Sequence, residues 1–484
     1  MFLTKTTNRM CYFMNILPLV NHYGQLINTC LSKNPFFHQI EERIGEIGDE
    51  LTLDILREII ESIDGEFRES DERKNNFYIH RYATRTLITS LGIIEFTKTY
   101  YKSKRPVNGK HVFMSYIEEV FGVEKWAKMT LSAEAELIRV ATETNMEYAA
   151  KNALRGVTIS RQAISAKVRK LNINPDIEVR RTTAVPEARY IEMDEVHANL
   201  QEKKKKRKGA NKNKIVPAAF VHEGHKESFV KRKEVKNPYY FASSQLSYED
   251  LYHHIYHYCD QRYDLDKVKH IFVSGDGASG IKTYDSCFPN AIYVLDKFHY
   301  RKALNYLFKK DQLLTKLADD YLRNQMIDEF KQLCHLQIGQ FPHQEDEMNK
   351  KMNYLINNIP GIINQKHKAY NCPASVEGVI SHKYAKYITS RPFGFSRDGL
   401  ENKIQLLTRQ ANNLDFSTET FARFKYEDNY YKHSHIHKHQ NLKWHKPKHH
   451  PKYKYLNLIH HIPALVYKNV GTDKLIKSIL KFKI

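Results

Sequence analysis

Two short apolar runs that each end in an aspartate constrain the fold of this chain most. The first run, residues 269–276, ends at Asp276, and the second, residues 290–296, ends at Asp296. Short runs rich in β-branched and aromatic residues, bounded by turn residues, predict buried strands. A buried strand that carries a carboxylate at its carboxyl end favours an active site over a solvated strand-end turn, which is the alternative.

Glycines surround the first of these aspartates. Gly275, Gly277 and Gly280 predict a sharp backbone turn at Asp276 and leave room for a bulky ligand beside it. A strand end with a purely structural role does not require such room.

The chain beyond residue 186 alternates between strand and helix patterns. Predicted strands cover residues 188–196, which include Asp194, then 215–221 and 227–235, ahead of a helix at 247–263 that Ser247 can cap. After the two opening strands, a long helical region covers 297–359, and a further helix near 373–382 carries Glu377. This order predicts an α/β domain with a helical insertion.

The first 175 residues have a different character. A helical pattern covers residues 36–65, and residues 85–101 predict a β-hairpin that turns near Leu91 and Gly92. Residues 145–154 and 158–171 then predict two helices joined by a short turn, with Ile164, Val168 and Leu171 on the inner side of the second.

This helix pair is typical of a helix-turn-helix, although many αα-hairpins share the pattern. The outer side of the second helix carries Arg161, Gln162, Ser165 and Arg169, which can reach phosphates and base edges in a major groove. We therefore predict DNA binding here, with plain packing as the alternative.

The charge of the chain indicates a polyanionic partner. Its 76 Lys and Arg residues exceed its 55 Asp and Glu residues, giving a net charge of +21 and a pI near 9.4. Basic residues concentrate in a predicted hairpin turn at 202–209 and in a tail beyond residue 421 that is also rich in His and Tyr. Nucleic acid is the leading candidate; drift in a lysine-rich proteome is the alternative, and the tail could also bind a metal.

Cysteine spacing and hydropathy argue against several other classes of protein. The 6 cysteines form no CxxC pair, which argues against a zinc ribbon or a disulfide framework and is compatible with a reducing cytoplasm. No apolar stretch is long enough to span a membrane, and residues 10–20 lack the features of a signal peptide.

Three acids on separate predicted elements suggest the chemistry. Asp194 lies on a strand, Asp276 at the end of another, and Glu377 on a distant helix. Carboxylates are preferred ligands of Mg²⁺ and Mn²⁺, and two such ions about 4 Å apart can activate an attacking oxygen and stabilise the leaving one in phosphodiester displacement. A surface carboxylate is the alternative for each acid alone.

Five short motifs in a fixed order resemble the ISLre-two family of insertion-sequence transposases, over about residues 85–396. The motifs are Ile191-Glu192-Met193-Asp194, Gly275-Asp276-Gly277-Ala278, Leu295-Asp296-Lys297-Phe298-His299, Ser375-Val376-Glu377-Gly378 and Ser390-Arg391-Pro392-Phe393-Gly394. The resemblance implies a DDE transposase with a ribonuclease-H-like catalytic domain and a metal-binding triad of Asp194, Asp276 and Glu377. Glu401 is a weaker candidate for the third acid, because it lies outside the motifs.

The resemblance also implies that Asp296 and His299 lie beside the site. From their positions, His299 could orient a phosphate or a ligand, and Arg391 could neutralise a non-bridging oxygen. The expected cofactor is Mg²⁺ or Mn²⁺, bound as two ions, and the expected partner is double-stranded DNA, both element ends and target.

Together these observations predict an α/β chain that acts as a bacterial insertion-sequence transposase. It would be cytoplasmic, associated with the nucleoid, without a membrane partner, and a homo-oligomer when assembled on DNA. A ribonuclease-H-like nuclease or resolvase, and a non-catalytic DNA-binding protein from a decayed element, are the alternatives. The predicted regions are a helical segment (1–84), a hairpin region (85–130), a helix-turn-helix (131–175), a catalytic domain (186–300 and 370–420), a helical insertion (301–369) and the basic tail (421–484).

Overall fold

The computed structural model of the chain is a mixed α/β structure. It describes residues 17–33, 36–106, 109–173, 179, 182, 187–201, 213–226, 234–372, 376–389 and 394–426. These form two compact units: the described parts of the first lie within residues 17–138 and 147–160, and those of the second within 139–146 and 161–426.

The first unit is built on a long helix and the predicted hairpin. Strand β1 (Phe77–Thr89) pairs antiparallel with β2 (Gly92–Ser103) around a two-residue turn, so the hairpin prediction is confirmed. Helix α2 (Phe37–Glu69) matches the predicted helical pattern and packs on this hairpin, where Ile60 and Ile94 are among the buried residues. The other elements that begin in this part of the chain are α1 (Leu17–Lys33), α3 (Asp71–Asn76), β3 (Phe113–Ser115), α4 (Tyr116–Val120), α5 (Leu131–Glu143) and α6 (Met146–Asn152).

The second unit contains a five-stranded sheet in the order β6-β5-β4-β7-β8. Strands β4, β5 and β6 pair antiparallel, whereas β4 pairs parallel with β7 and β7 with β8. The strands are β4 (Ala188–Asn199), β5 (Asn213–His222), β6 (Tyr239–Ala242), β7 (His270–Gly275) and β8 (Ile292–Leu295).

Four of these strands were predicted, but the third along the chain lies elsewhere. It is β6, at 239–242, and not the predicted segment 227–235, of which residues 227–233 lie outside the described residues. In the described remainder, Val235 makes only an isolated bridge to His225.

Helices cover both faces of the sheet. On one face, Ile191, Met193 and Val273 pack against α8 (Tyr248–Arg262), whose start Ser247 caps as predicted, with a capping box to Asp250. On the other face, β4 and β5 pack against α14 (Val376–Ile380), the π-helical turn Ser381–Ala385 and α16 (Arg397–Ala411).

The predicted helical region after β8 is helical in the structure. The helices of that region share one core of buried residues that includes Leu304, Phe330 and Leu355. The remaining helices are α7 (Arg161–Lys170), α9 (Lys297–Leu307), α10 (Gln312–Arg323), α11 (Ile327–Gln340), α12 (Glu345–Asn357), α13 (Ile359–Asn364), α15 (Lys386–Ile388) and α17 (Thr418–Tyr426).

Several predicted features fall outside the part of the chain that is described. These are the basic turn at 202–209, Arg391 with residues 390–393, and the tail from residue 427 onward. Among the described helices, none has the length and apolarity that a bilayer crossing requires.

Candidate active site

Asp194 and Asp276 lie on neighbouring parallel strands of the second unit. In the β4–β7 ladder, Glu192 pairs with Ser274. Asp194 lies two residues after Glu192, and Asp276 lies two residues after Ser274. Side chains two residues apart along a strand lie on the same face of the sheet, so both aspartates share the face of Glu192 and Ser274. The pattern of the two strands thus brings these carboxylates to one face of the sheet.

Glu377 reaches the same face from a helix. Its neighbours Val376 and Ile380 are buried against the side of the sheet that carries Val196, another residue of β4. Glu377 itself lies in the first turn of α14 and is exposed. Burial of the flanking residues therefore leaves its carboxylate at the solvent edge, near Asp194.

The electrostatics of Asp194 show that the three acids are neighbours. The pKa of the Asp194 carboxyl is raised to about 6, chiefly by burial and also by the negative charges of Asp276 and Glu377, while a hydrogen bond from the amide of Glu195 and the charge of His299 oppose the rise. A carboxylate that is costly to ionise beside two others is suited to binding a divalent cation, since the ion would supply the missing positive charge.

Asp296 and His299 also lie at this site. Asp296 is buried and caps α9: its Oδ1 accepts hydrogen bonds from the amides of Phe298 (2.9 Å) and His299 (3.1 Å). Nδ1 of His299 lies 3.1 Å from the same oxygen. That hydrogen bond and the charges of Asp296, Asp194 and Asp276 raise the pKa of His299, against the effect of burial. His299 thus places an imidazole ring with a raised pKa among the carboxylates.

The turn at Asp276 is fixed by close packing. A Cβ on Gly275 would lie 2.9 Å from the carbonyl oxygen of Met193, and Gly277 has φ +88 with Asn358 2.8 Å from the position of its Cβ. Protein atoms therefore fill the space at the Cβ positions of Gly275 and Gly277, so these two glycines do not themselves provide the predicted room for a ligand.

Two residues of α12 and the turn after it support this loop and were not predicted. Tyr354 donates a hydrogen bond from its hydroxyl to the backbone oxygen of Asp276 (2.6 Å), and Asn358 packs against Gly277.

A basic cleft of about 1160 Å³ opens beside Asp276. Its lining includes His299, Phe298 and Tyr354, and it is bordered by cationic side chains, namely Lys297, Arg301, Lys302, Lys309, Lys310 and Lys351. These residues come from α9, the turn that follows it and α12, all after the second predicted strand. A polyanion could enter here next to the acids.

Glu401, the alternative candidate for the third acid, has different surroundings. Glu401 accepts hydrogen bonds from the hydroxyl of Ser243 (2.9 Å), the amide of Ser244 (2.6 Å) and the amide group of Gln405 (2.7 Å), so its carboxylate supports the end of β6. Its surroundings favour Glu377 as the third acid.

The predicted DNA-binding helix is α7. Arg161, Gln162 and Arg169 are exposed and Ser165 is half-buried, while Ile164, Val168 and Leu171 are buried as expected. However, α7 belongs to the second unit, whereas α6 lies almost entirely in the first. Base reading by α7 remains a prediction.

Comparison with known proteins gives the chain's relatives. Residues 31–423 match the family described as "Uncharacterised protein family (UPF0236)". Among similar proteins of Caldanaerobacter subterraneus subsp. tengcongensis, the one named UPF0236 protein TTE2489 is 26% identical over 84% of this chain and 86% of its own length. A second, whose name joins four designations beginning with TTE0610, is 26% identical over 83% of each chain. A third, whose name joins eleven beginning with TTE0033, is 27% identical over 78% of each.

Proposed function

The chain belongs to the UPF0236 family, and we propose that it is a DDE-type DNA transposase of an insertion sequence. It would bind the ends of its element, hydrolyse a phosphodiester bond there, and join the freed 3′ hydroxyl to target DNA. The observation that carries the proposal is the convergence of Asp194, Asp276 and Glu377, from two strands and a helix, in one electrostatically coupled group.

The strand order supports a ribonuclease-H-like fold for the second unit. Three antiparallel strands followed by two parallel ones, with the first strand central, is the arrangement expected of that fold. The acids also occupy the expected elements: the central strand, the end of the fourth strand along the chain, and a helix beyond the fifth.

The donor set fits divalent cations with a preference for oxygen ligands. Asp194, Asp276 and Glu377 would hold Mg²⁺ or Mn²⁺, because they offer carboxylate oxygens from separate elements and because Asp194 is costly to ionise without a counter-charge. When bound, the metal would lower the pKa of an attacking water and neutralise charge on the phosphate.

The protein's own groups would position the DNA. The lysines and arginine of the basic cleft would neutralise backbone phosphates next to Asp276, which attracts DNA regardless of its sequence. Asp296 would hold the ring of His299 in place, and the ring could donate a hydrogen bond from its other nitrogen to a phosphate oxygen. No covalent enzyme nucleophile is required.

The relatives support a mobile element. The name of one relative joins eleven designations within a single strain. A protein carried under so many designations in one organism fits a gene present in many copies, which transposition would produce.

End cleavage by the purified full chain tests the proposal. We expect wild-type protein with Mg²⁺ to nick DNA at the ends of the segment that carries its gene, and Asp276→Asn to bind these ends normally but to lose cleavage. Asp285→Asn is a matched control, because Asp285 is an exposed aspartate nine residues further along. Cleavage retained by Asp276→Asn, or equal cleavage without a divalent ion, would reject the proposed site.

The same assay separates the alternatives. A nuclease or resolvase would cut without forming joined strand-transfer products. A non-catalytic DNA-binding protein would bind the ends equally well with and without Mg²⁺.

A further inference from the structure

A second cluster of possible metal ligands lies in the interior of the second unit. Glu192 on β4, His222 at the end of β5 and Cys372 ahead of α14 each offer one ligand atom, and these atoms all lie within 4.8 Å of one another. All three residues are buried, with 2%, 0% and 3% exposure. This cluster was not predicted from the sequence.

The separations of the ligand atoms suit a small tetrahedral site. Nε2 of His222 lies 2.8 Å from Oε1 of Glu192, and Sγ of Cys372 lies 3.2 Å from that oxygen and 3.9 Å from that nitrogen. Zinc bonds of about 2.0 Å to nitrogen or oxygen and 2.3 Å to sulfur place tetrahedral ligands roughly 3.3–3.6 Å apart. The observed values bracket this range, so shifts of about 0.5 Å would admit the ion.

The surroundings of His222 match those of a metal ligand. Its other ring nitrogen, Nδ1, lies 3.2 Å from the backbone oxygen of Gly224, to which it donates when it carries the proton, and 3.1 Å from the amide nitrogen of Gly224, which donates to it in the other tautomer. Histidines that bind metals usually donate this second N–H to a carbonyl or carboxylate, which fixes the tautomer. The ring also stacks on Tyr190, with centroids 5.1 Å apart, and the ring of His225 lies edge-on at 5.9 Å.

Charge also favours a divalent ion here. One carboxylate, one thiolate and one neutral imidazole together balance a doubly charged cation, and binding would release the thiol proton of Cys372. A mixed sulfur and nitrogen ligand set selects zinc over magnesium.

We propose that Glu192, His222 and Cys372 form a structural site for a zinc-class divalent cation, distinct from the carboxylates Asp194, Asp276 and Glu377. The ion would join β4, β5 and the segment that leads into α14. That segment is already tied to β4, because the hydroxyl of Tyr190 donates to the oxygen of Ala369 (3.2 Å) and accepts from the amide of Asn371 (3.2 Å). The site would thus stabilise the part of the chain that precedes Glu377.

Metal analysis and cobalt substitution of the full chain test this proposal. We expect one equivalent of zinc per purified chain, and, after exchange for Co²⁺, the near-ultraviolet charge-transfer band of a cobalt–thiolate bond. The band identifies a cysteine ligand, and residues 427–484, although rich in histidine, contain no cysteine. Zinc bound by the histidines of the tail would therefore not produce it.

A pair of variants locates the sulfur ligand. Cys372→Ala should lose the band, whereas Cys334→Ala, which also removes a buried cysteine of the second unit, should retain it. If Cys372→Ala does not fold, X-ray absorption at the zinc edge of the wild-type chain should still show one sulfur among nitrogen and oxygen ligands.

Two results would overturn the proposal: a wild-type chain without the cobalt–thiolate band, or a band unchanged in Cys372→Ala. Neither measurement uses DNA. The zinc site can therefore fail while the transposase proposal stands, and the reverse also holds.

Discussion

At the scale of single residues, the candidate site and the core both contain ionisable groups in costly surroundings. Asp194 is a carboxylate in a partly buried position beside two others, with only His299 as a cation among the causes of its shifted pKa. Lys403 is an ammonium group buried in the second unit. The pKa of Asp194 is raised and that of Lys403 is lowered, so the two residues change the pH dependence of the unfolding free energy in different ways.

Asp194→Asn should stabilise the metal-free protein. The pKa of Asp194 rises from 3.8 to about 6 on folding, chiefly through burial, so the folded state binds more protons between these values and the unfolding free energy falls as pH rises through that window. Above pH 6 the variant should be more stable than wild type by about 3 kcal/mol.

Urea unfolding at pH 7 with EDTA measures this difference, with Asp285→Asn as the control. Added Mg²⁺ should then stabilise wild type more than Asp194→Asn. Equal stability of the two proteins without metal, or equal stabilisation of both by Mg²⁺, would contradict the account of the site.

Lys403→Met should change how stability depends on pH in alkaline solution. Burial lowers the pKa of Lys403 from 10.5 to about 7, while Nζ donates hydrogen bonds to the backbone oxygens of Ala141 (2.8 Å) and Thr142 (3.2 Å). Between these pKa values the unfolded chain binds more protons, so the cost of burying the ammonium is full below pH 7 and disappears as pH rises toward 10.5.

The unfolding free energy of wild type should therefore rise relative to Lys403→Met by a few kcal/mol between about pH 7 and 10, at up to about 1.4 kcal/mol per pH unit. Urea titrations of both proteins across this range measure the difference. Parallel curves would show that Lys403 keeps an ordinary pKa in the folded protein.

At the scale of elements, helix α12 supports the loop that carries Asp276. The hydroxyl of Tyr354 bonds to the backbone oxygen of Asp276, and the packing of Asn358 against Gly277 fixes the neighbouring residue. The helical region after β8 therefore does more than fill space beside the sheet: it positions one of the three acids.

Tyr354→Phe tests this role, because it removes the hydrogen bond and keeps the ring. We expect the rate of end cleavage to fall about five- to tenfold with little change in DNA affinity, since one hydrogen bond contributes about 1 kcal/mol. Tyr321→Phe in α10 is the matched control, because Tyr321 packs against the same core. Equal rates for the two variants would show that α12 does not position Asp276.

Local signals were sufficient to predict most elements around the site. Apolar runs bounded by turns identified β4, β5, β7 and β8, and Ser247 as a capping residue marked the start of α8. Strand β6 was misplaced because its four residues, Tyr-Tyr-Phe-Ala, are too short to show an alternating pattern.

Tertiary contacts could not be predicted in this way. Glu377 was selected by a resemblance, since no local pattern shows that α14 packs against β4. The support from Tyr354, and the cluster of Glu192, His222 and Cys372, join residues 30 to 180 positions apart, for which one sequence offers no signal. Sequence identified which acids to consider, and the fold showed which of them are neighbours.

At the scale of the whole molecule, the positive charge and the acidic site are complementary parts of one proposed activity. The chain carries a net charge of +21, and cationic side chains line the cleft that adjoins Asp276. A carboxylate site repels DNA, so binding requires cations around it and a divalent ion within it. Both requirements follow from the claim that this chain joins DNA strands.

The most direct test of that claim is a joining reaction with pre-cut element ends. Full-length protein, Mg²⁺ and supercoiled target DNA are incubated with ends that carry either a 3′ hydroxyl or a 3′ hydrogen. We predict joined products only from the 3′ hydroxyl ends and only with intact acids: Asp194→Asn, Asp276→Asn and Glu377→Gln should each abolish joining. Glu419→Gln, which changes an exposed glutamate in the first turn of α17, should not. Joining by the 3′ hydrogen ends, or undiminished joining by the three variants, would contradict the account.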